Sequence, residues 1–368
     1  MADNSGPRPL ELKALAAALE AAGQPWEMAY TSITALEESE RVIRLGVPPR
    51  PELQETAAAD AAAAIAAKAE NIGAPAAFDV RKVGGVNYDS PVKDQGGCGS
   101  CVAFGTAGAT EVVFKYTHGT AMPVDLSEAQ LFYIYARSEG QKCSTGWWPE
   151  RALTHAKATG VTFENYYPYT AGDQDGTTKI NADWPNQLIK VTDWATISGN
   201  ALQMKDDISR YGAVTACFNV FQDFFSYRTG VYKHVTGSLA GGHCVVIIGY
   251  DDAQQCWIAR NSWGVGWGDS GYFRIGYGEC GIESYQTCAV RGAALTAWLP
   301  NQLITALWSN ESDANLWAYG AQRGWVHLDS GSPVTSHAMA SELAAAKALG
   351  RQVGLYENNG SVTQIYAW

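Results

Sequence analysis

Apolar positions near the start of the chain recur every three or four residues: Leu10, Leu12, Leu15 and Leu19, then Ile33, Leu36, Val42 and Ile43. That spacing predicts helices across residues 1–46. The run Val47-Pro48-Pro49-Arg50-Pro51 stops it, because successive prolines fix φ and remove backbone donors. The alanine-rich stretch from Ala57 to Ala67 predicts a short helix with little packing power, and Asn71 to Pro75 a linker. Residues 1–76 thus lack a core of their own and need something to pack on.

From 77 to 293 the texture changes. Between Ser100 and Tyr135 the pattern is helical, with Phe104, Ala107 and Val112 on one face. After Ala213 short strand-like runs dominate: VTACFNV, CVVIIGY, CWIARN and GYFRIGY. A helical half followed by a strand-rich half predicts an α+β fold of two subdomains with a cleft between them. Residues 294–368 read as a further small α+β module. Its predicted strands are LITALWS, LWAYGA and GWVHLD; a helix HAMASELAAAKAL follows, then QVGLYE and VTQIYAW about an Asn358-Asn359-Gly360 turn. Trp298, Trp308, Trp317, Tyr319, Trp325, Tyr366 and Trp368 crowd this module at strand spacing, which assigns them to core packing ahead of carbohydrate or peptide binding.

Composition narrows the partners. The 368 residues are 46% hydrophobic and 17% charged, with a net charge of −11 and no basic stripe. Nucleic acid and anionic membrane are therefore not expected partners, and no apolar run approaches the ~18 residues of a membrane span. A monomer is expected. The opening segment lacks the basic, apolar and small-residue pattern of a secretory signal, so export by that route is not expected, and the compartment stays open. Eight cysteines are too few for a disulfide scaffold, and no Cys-x-x-Cys pair meets a second one, so neither a metal nor a cofactor is expected. Cys217, Cys244, Cys256 and Cys288 lie in strand-like runs, where a free buried thiol is the default.

Three segments carry chemistry. In Gln95-Gly96-Gly97-Cys98-Gly99-Ser100-Cys101, glycines precede a cysteine that opens an apolar helical run. A thiol attacks carbonyls as thiolate, and the unpaired N–H groups of a helix start favour that anion. Gln95 lies where its amide can donate to a developing oxyanion beside the Cys101 N–H. In Gly241-Gly242-His243-Cys244, a histidine opens a strand among small residues that leave its ring accessible. In Asn261-Ser262-Trp263-Gly264, an asparagine carbonyl can accept the imidazole N–H and orient the ring, with Trp263 shielding that bond.

These pieces, in this order, resemble the papain family of cysteine peptidases over residues 77–291. Cys101 and His243 are about 140 residues apart, within the family's ~130–150. The run from Asn261 to Ile275 and the run from Pro91 to Cys101 are both close to family signatures. The resemblance implies a helical left and a β-rich right subdomain, with Cys101 as nucleophile, His243 as base, Asn261 orienting it and Gln95 in the oxyanion hole. It implies a Cys98–Cys143 disulfide and a Gly146 loop along the substrate backbone. It also implies a selectivity pocket walled by Trp147 or Trp148, Cys217, Gly242 and Cys244 with Tyr285 as its floor. Two positions depart: Val102 stands where the family has Trp, and Gly242 where Asp or Asn is common.

The implied function is a cysteine endopeptidase working on peptides or proteins through a Cys101 thioester, with residues 1–76 as a prosegment that inhibits it intramolecularly. Transfer of the acyl group to an amine uses the same residues, and a non-catalytic binding protein is the third reading. The absence of a paired-histidine insertion favours cleavage within chains.

Overall fold

The computed structural model describes residues 12–49, 73–120, 122–172, 179–312 and 315–367. The helix Cys101–His118 is its axis, with every residue from Cys101 to Lys115 buried. A helix so apolar on all sides belongs inside a protein. Small residues let the right-hand sheet approach it: a Cβ on Gly105 would lie 2.7 Å from Cys244 Sγ, and one on Gly108 would meet Arg260. Gly119, at φ 58°, ends the helix in a left-handed turn. The segment Gln130–Ala136 and the helix Pro149–Ala158 complete this helical side.

The facing sheet is built around the strand Leu239–Asp251, antiparallel to Val214–Phe221 on one side and to Cys256–Arg260 on the other. Its register sets Phe218 opposite His243 and Cys217 opposite Cys244. Tyr272–Gly276 follows Cys256–Arg260, and Tyr227–Tyr232 pairs with it in parallel. A helical half thus faces a β-rich half, the two-subdomain α+β arrangement expected from the sequence.

The N-terminal segment departs from its helical expectation. Among its described residues, helices occur at Leu12–Ala21 and Glu38–Val42 only. Gly23 and Gln24 both take positive φ and end the first, after which Trp26–Met28 adds an edge strand to Tyr227–Tyr232. Trp26 is buried against Tyr227 and Tyr232, with ring centroids 6.0 and 5.4 Å away, and its Nε1 donates to Lys233 O at 2.8 Å. Leu15, Leu19, Trp26 and Ile33 join the hydrophobic core of the β-rich half. Tertiary pairing overrides the local period there. The alanine-rich 57–67 lies outside the described residues.

The strand Gln286–Ser309 runs without interruption through the expected boundary at 293/294. Its first half pairs with Val214–Phe221 and Leu188–Thr196, its second with Gln352–Asn358 and Leu316–Gly320. With Gly324–Leu328 and Ser361–Ala367 these strands close a circuit, in which Gly324–Leu328 and Ser361–Ala367 run parallel. The result is a small five-stranded barrel. The helix Pro333–Ala348 packs against all five of its strands, burying Met339, Leu343 and Ala346. Asn359 and Gly360, at φ 50° and 90°, form the tight turn of the last hairpin. A buried Arg323–Glu357 pair at 2.6 Å braces the barrel itself, and its attachment to the central helix comes from Arg323 lying over the Phe114 ring and from the Thr120 Oγ1 to Gln322 O bond of 2.7 Å.

The aromatic residues of this region do not form its core. Leu316, Ala318, Val326 and Leu328 are buried, whereas Trp298, Trp308, Trp325 and Tyr366 are exposed, and Trp317 and Tyr319 half-buried. Trp368 lies outside the described residues. The inward positions are filled by small and aliphatic side chains, which leaves the rings on the outside.

Candidate active site

Cys101 is the first residue of the central helix, and its side chain is fully buried. Burial pushes its thiol up to about 12, only partly countered by backbone N–H groups of Cys244, Gly46 and Val102. His243, near the start of its strand, is also buried, and its Nε2 lies 2.7 Å from Asn261 Oδ1. The same Oδ1 accepts the Ser262 N–H at 2.8 Å, which fixes the amide's orientation. An oxygen can only accept, so Nε2 carries the hydrogen and Nδ1 presents its lone pair, buried without a hydrogen-bond partner. Desolvation lowers the His243 pKa to about 4. The Trp263 ring lies 4.7 Å from that of His243 and screens the pair from water.

Gln95 is held on three sides. Its N–H donates to Ser262 O at 2.9 Å, its Oε1 accepts from Ser262 Oγ at 2.6 Å, and its Nε2 donates to Cys98 O at 2.8 Å. Tyr169 adds a bond from its hydroxyl to Gln95 O at 2.8 Å and another, 2.7 Å, with Ser100 Oγ. Cys98 is disulfide-bonded to Cys143, and the Gly99 N–H donates to Cys143 O at 2.9 Å, which ties the loop before Cys101 to the Gly146 loop.

The chain's own residues 44–48 lie in the cleft. Arg44 O accepts from Gln95 Nε2 at 2.8 Å, and Arg44 pairs with Asp94 at 2.8 Å. Gly46 O accepts the Trp147 N–H at 2.9 Å, and the Val47 N–H donates to Gly242 O at 3.1 Å. Pro48 O accepts from the Tyr285 hydroxyl at 2.8 Å. A Cβ on Gly46 would overlap the Gly99 backbone, and one on Gly146 would overlap Gly46, so the fit depends on both glycines.

Gly146, Gly242 and Tyr285 thus meet one extended segment, and Trp147 does so through its backbone. The Trp147 ring does not wall the pocket: it is fully buried, donates Nε1 to Glu139 at 3.0 Å and packs near His155. Trp148 precedes the helix Pro149–Ala158 and packs against the core. Cys217 and Cys244 face each other across their strands, buried between sheet and helix, with Cys244 Sγ against Gly105. Val102 is buried within the helix. Sequence reasoning missed Ser262, Tyr169 and the segment Arg44–Pro48. Gly46 followed by Val47-Pro48-Pro49 reads as a helix stop, yet prolines also favour an extended chain suited to a groove. Among the described residues, no group of three or more His, Cys, Asp or Glu side chains could hold a metal ion.

Residues 74–290 match the family described as papain family cysteine protease. The chain belongs to that family. It is 36% identical over 212 residues to thiol protease aleurain of Arabidopsis thaliana, covering 54% of this chain and 56% of that one. To the cathepsin L-like proteinase of Fasciola hepatica it is 34% identical over 224 residues, covering 59% and 66%. The match thus spans between 56% and 66% of the length of these curated relatives. Its fold resembles proCathepsin B S9 from Trypanosoma congolense, with a TM-score of 0.62 at 21% identity, covering 76% of this chain and 98% of that one. It also resembles digestive procathepsin L 3 of Tenebrio molitor, with a TM-score of 0.58 at 26% identity, covering 74% and 85%.

Proposed function

We propose that this chain is the latent form of a cysteine endopeptidase, with Cys101 as nucleophile, His243 as base, Asn261 as its orienting partner and Gln95 in the oxyanion hole. The observation that carries the reading is the Nε2–Oδ1 bond of 2.7 Å, which orients the His243 ring, while the segment at Arg44 and Gly46 lies against both that ring and the helix-start thiol. The Cys101 thiol gives its proton to His243 Nδ1, and the thiolate attacks the scissile carbonyl carbon. The oxyanion that forms is met by Gln95 Nε2, whose position is fixed by Ser262. The imidazolium returns the proton to the departing amine, leaving a Cys101 thioester. Water, deprotonated by His243, attacks the thioester and releases the carboxylate product with the thiol restored.

Latency follows from where residues 44–48 sit. Arg44 O occupies the Gln95 amide that an oxyanion needs, and Pro48 O occupies the Tyr285 hydroxyl. With the selectivity pocket at Tyr285 on the N-terminal side of the scissile bond, a substrate runs from Tyr285 toward Gln95. Segment 44–48 runs from Gln95 toward Tyr285, so its peptide bonds face the nucleophile in reverse and are poorly placed for attack. Its burial of the cleft also keeps the thiol and the imidazole neutral: the thiol is pushed up to about 12 and the imidazole down to about 4. Removing the segment hydrates both groups and lets the thiolate–imidazolium pair form.

The test is activity toward a fluorogenic peptide before and after removal of residues 1–76 in reductant. Turnover that rises on removal supports the reading. A full-length protein already as active as the processed one, and never cleaved, contradicts it.

A further inference from the structure

The outer face of the C-terminal barrel is aromatic where an open sheet face is ordinarily polar. Trp308 and Trp317 are direct cross-strand partners, and so are Tyr319 and Trp325 and, next to them, Trp317 and His327. These side chains alternate with the inward Leu316, Ala318, Val326 and Leu328, so the rings share one face. Trp308 remains 49% exposed and Trp325 42%, too open for core packing. Trp308, Trp317 and Trp325 line one shallow depression of about 540 Å³, with Asn315 at its rim. Asn315 Oδ1 accepts Trp317 Nε1–H at 2.8 Å, which locks amide and indole together. Exposed aromatic patches of this kind mark binding surfaces.

Small five-stranded barrels carry oligonucleotides or oligosaccharides on such a face, and charge separates the two. From residue 294 onward the Lys and Arg residues are Arg323, Lys347 and Arg351, against Glu311, Asp313, Asp329, Glu342 and Glu357. Arg323 is buried and spent on Glu357, and Lys347, in the last turn of the helix Pro333–Ala348, is not among the residues that line the depression. A phosphate backbone needs cations beside the stacking rings, and among the described residues none lines this depression. A neutral sugar needs none. A pyranose with equatorial substituents has a flat C–H face that lies on an indole, and a hydroxyl rim that an asparagine amide can bond.

We propose that the depression formed by Trp308, Trp317, Trp325 and Asn315 is a binding site for a neutral oligosaccharide of equatorially linked pyranoses, separate from the peptidase cleft. The barrel is fixed to the central helix through Gln322 and Arg323, so a bound glycan is held at a set position relative to Cys101. The test is titration of the full chain with cellohexaose, chitohexaose and decathymidylate, followed by calorimetry and tryptophan fluorescence. Saturable binding of at least one hexasaccharide and none of decathymidylate is expected. Trp308→Ala and Trp325→Ala, both at exposed rings, should each weaken binding about ten-fold or more, as loss of a central aromatic contact does. Their melting temperature and Cys101 alkylation rate should stay as in the wild type. The proposal is overturned if neither sugar binds, if binding survives both substitutions unchanged, or if decathymidylate binds more tightly than the sugars.

Discussion

Gly46→Ala tests the seating of the segment in the cleft. The three atoms nearest an added Cβ all belong to the Gly99 backbone, the farthest of them 2.7 Å away, whereas real Cβ contacts essentially never fall under 3.0 Å. Neither side yields easily, because Gly99 is tied to Cys143 and Gly46 O is bonded to the Trp147 N–H. Overpacking of this kind costs roughly 1–3 kcal/mol. If the penalty falls on the closed arrangement alone, the open fraction rises about 5- to 150-fold. The assay is the rate of iodoacetamide labelling at Cys101 in the unprocessed full chain, read by peptide mass spectrometry over the first few per cent of reaction. Gly46→Ala should label faster by that factor, while its core melting temperature changes little. Labelling at the wild-type rate, in a protein shown to be folded, would refute the placement of Gly46 against Gly99.

Other expectations concern chemistry and selectivity. His243→Ala should nearly abolish turnover, whereas Asn261→Ala should keep a measurable part of kcat, because it orients the base and moves no proton. In the closed protein a thiol raised to about 12 yields thiolate only as pH climbs toward that value, so Cys101 labelling should rise about ten-fold per pH unit from 7 to 10. The processed enzyme, with its ion pair formed, should show a flat profile there, and identical profiles would contradict the role given to burial. With Tyr285 as the proposed floor of the pocket, its hydroxyl beside Gly242 and no charge supplied, valine or leucine should be preferred over arginine at the second position before the cut. Tyr285→Ala should admit phenylalanine better, by roughly the 1–3 kcal/mol that such pockets discriminate, in a kcat/KM series over dipeptide substrates. Arginine as the best wild-type substrate would sink this assignment.

Much of the cleft was legible because its chemistry is local. Glycines before Cys101, small residues before His243 and the Asn261-Ser262-Trp263 run each announce a backbone setting that a single stretch of sequence can specify. What lay hidden depends on distant partners. Ser262 reads as filler between Asn261 and Trp263 until its hydroxyl is found on Gln95. Residues 44–48 look like the end of a helix, and only the assembled groove shows that they pair with Gly242 and Trp147. The helical period expected through residue 46 fails at Gly23, where a turn delivers Trp26 to a sheet edge. In the C-terminal barrel the alternation is legible but its sense is not: Leu316 and Ala318 are as apolar as Trp317 and Tyr319, so period two cannot say which set faces inward. Volume decides it, since the interior of a barrel of only five strands has room for aliphatic side chains and not for stacked indoles.

The claim at the centre of this account is that one thiol among the six free cysteines, Cys101, becomes the nucleophile once the segment leaves the cleft. Intact-protein and peptide mass spectrometry after exposure to a peptidyl epoxide tests it directly, with and without residues 1–76. The account predicts a single adduct on Cys101 in the processed protein, loss of turnover in step with it, and little reaction in the closed one. An adduct on another cysteine, or turnover that survives full modification of Cys101 or the Cys101→Ala substitution, would contradict it.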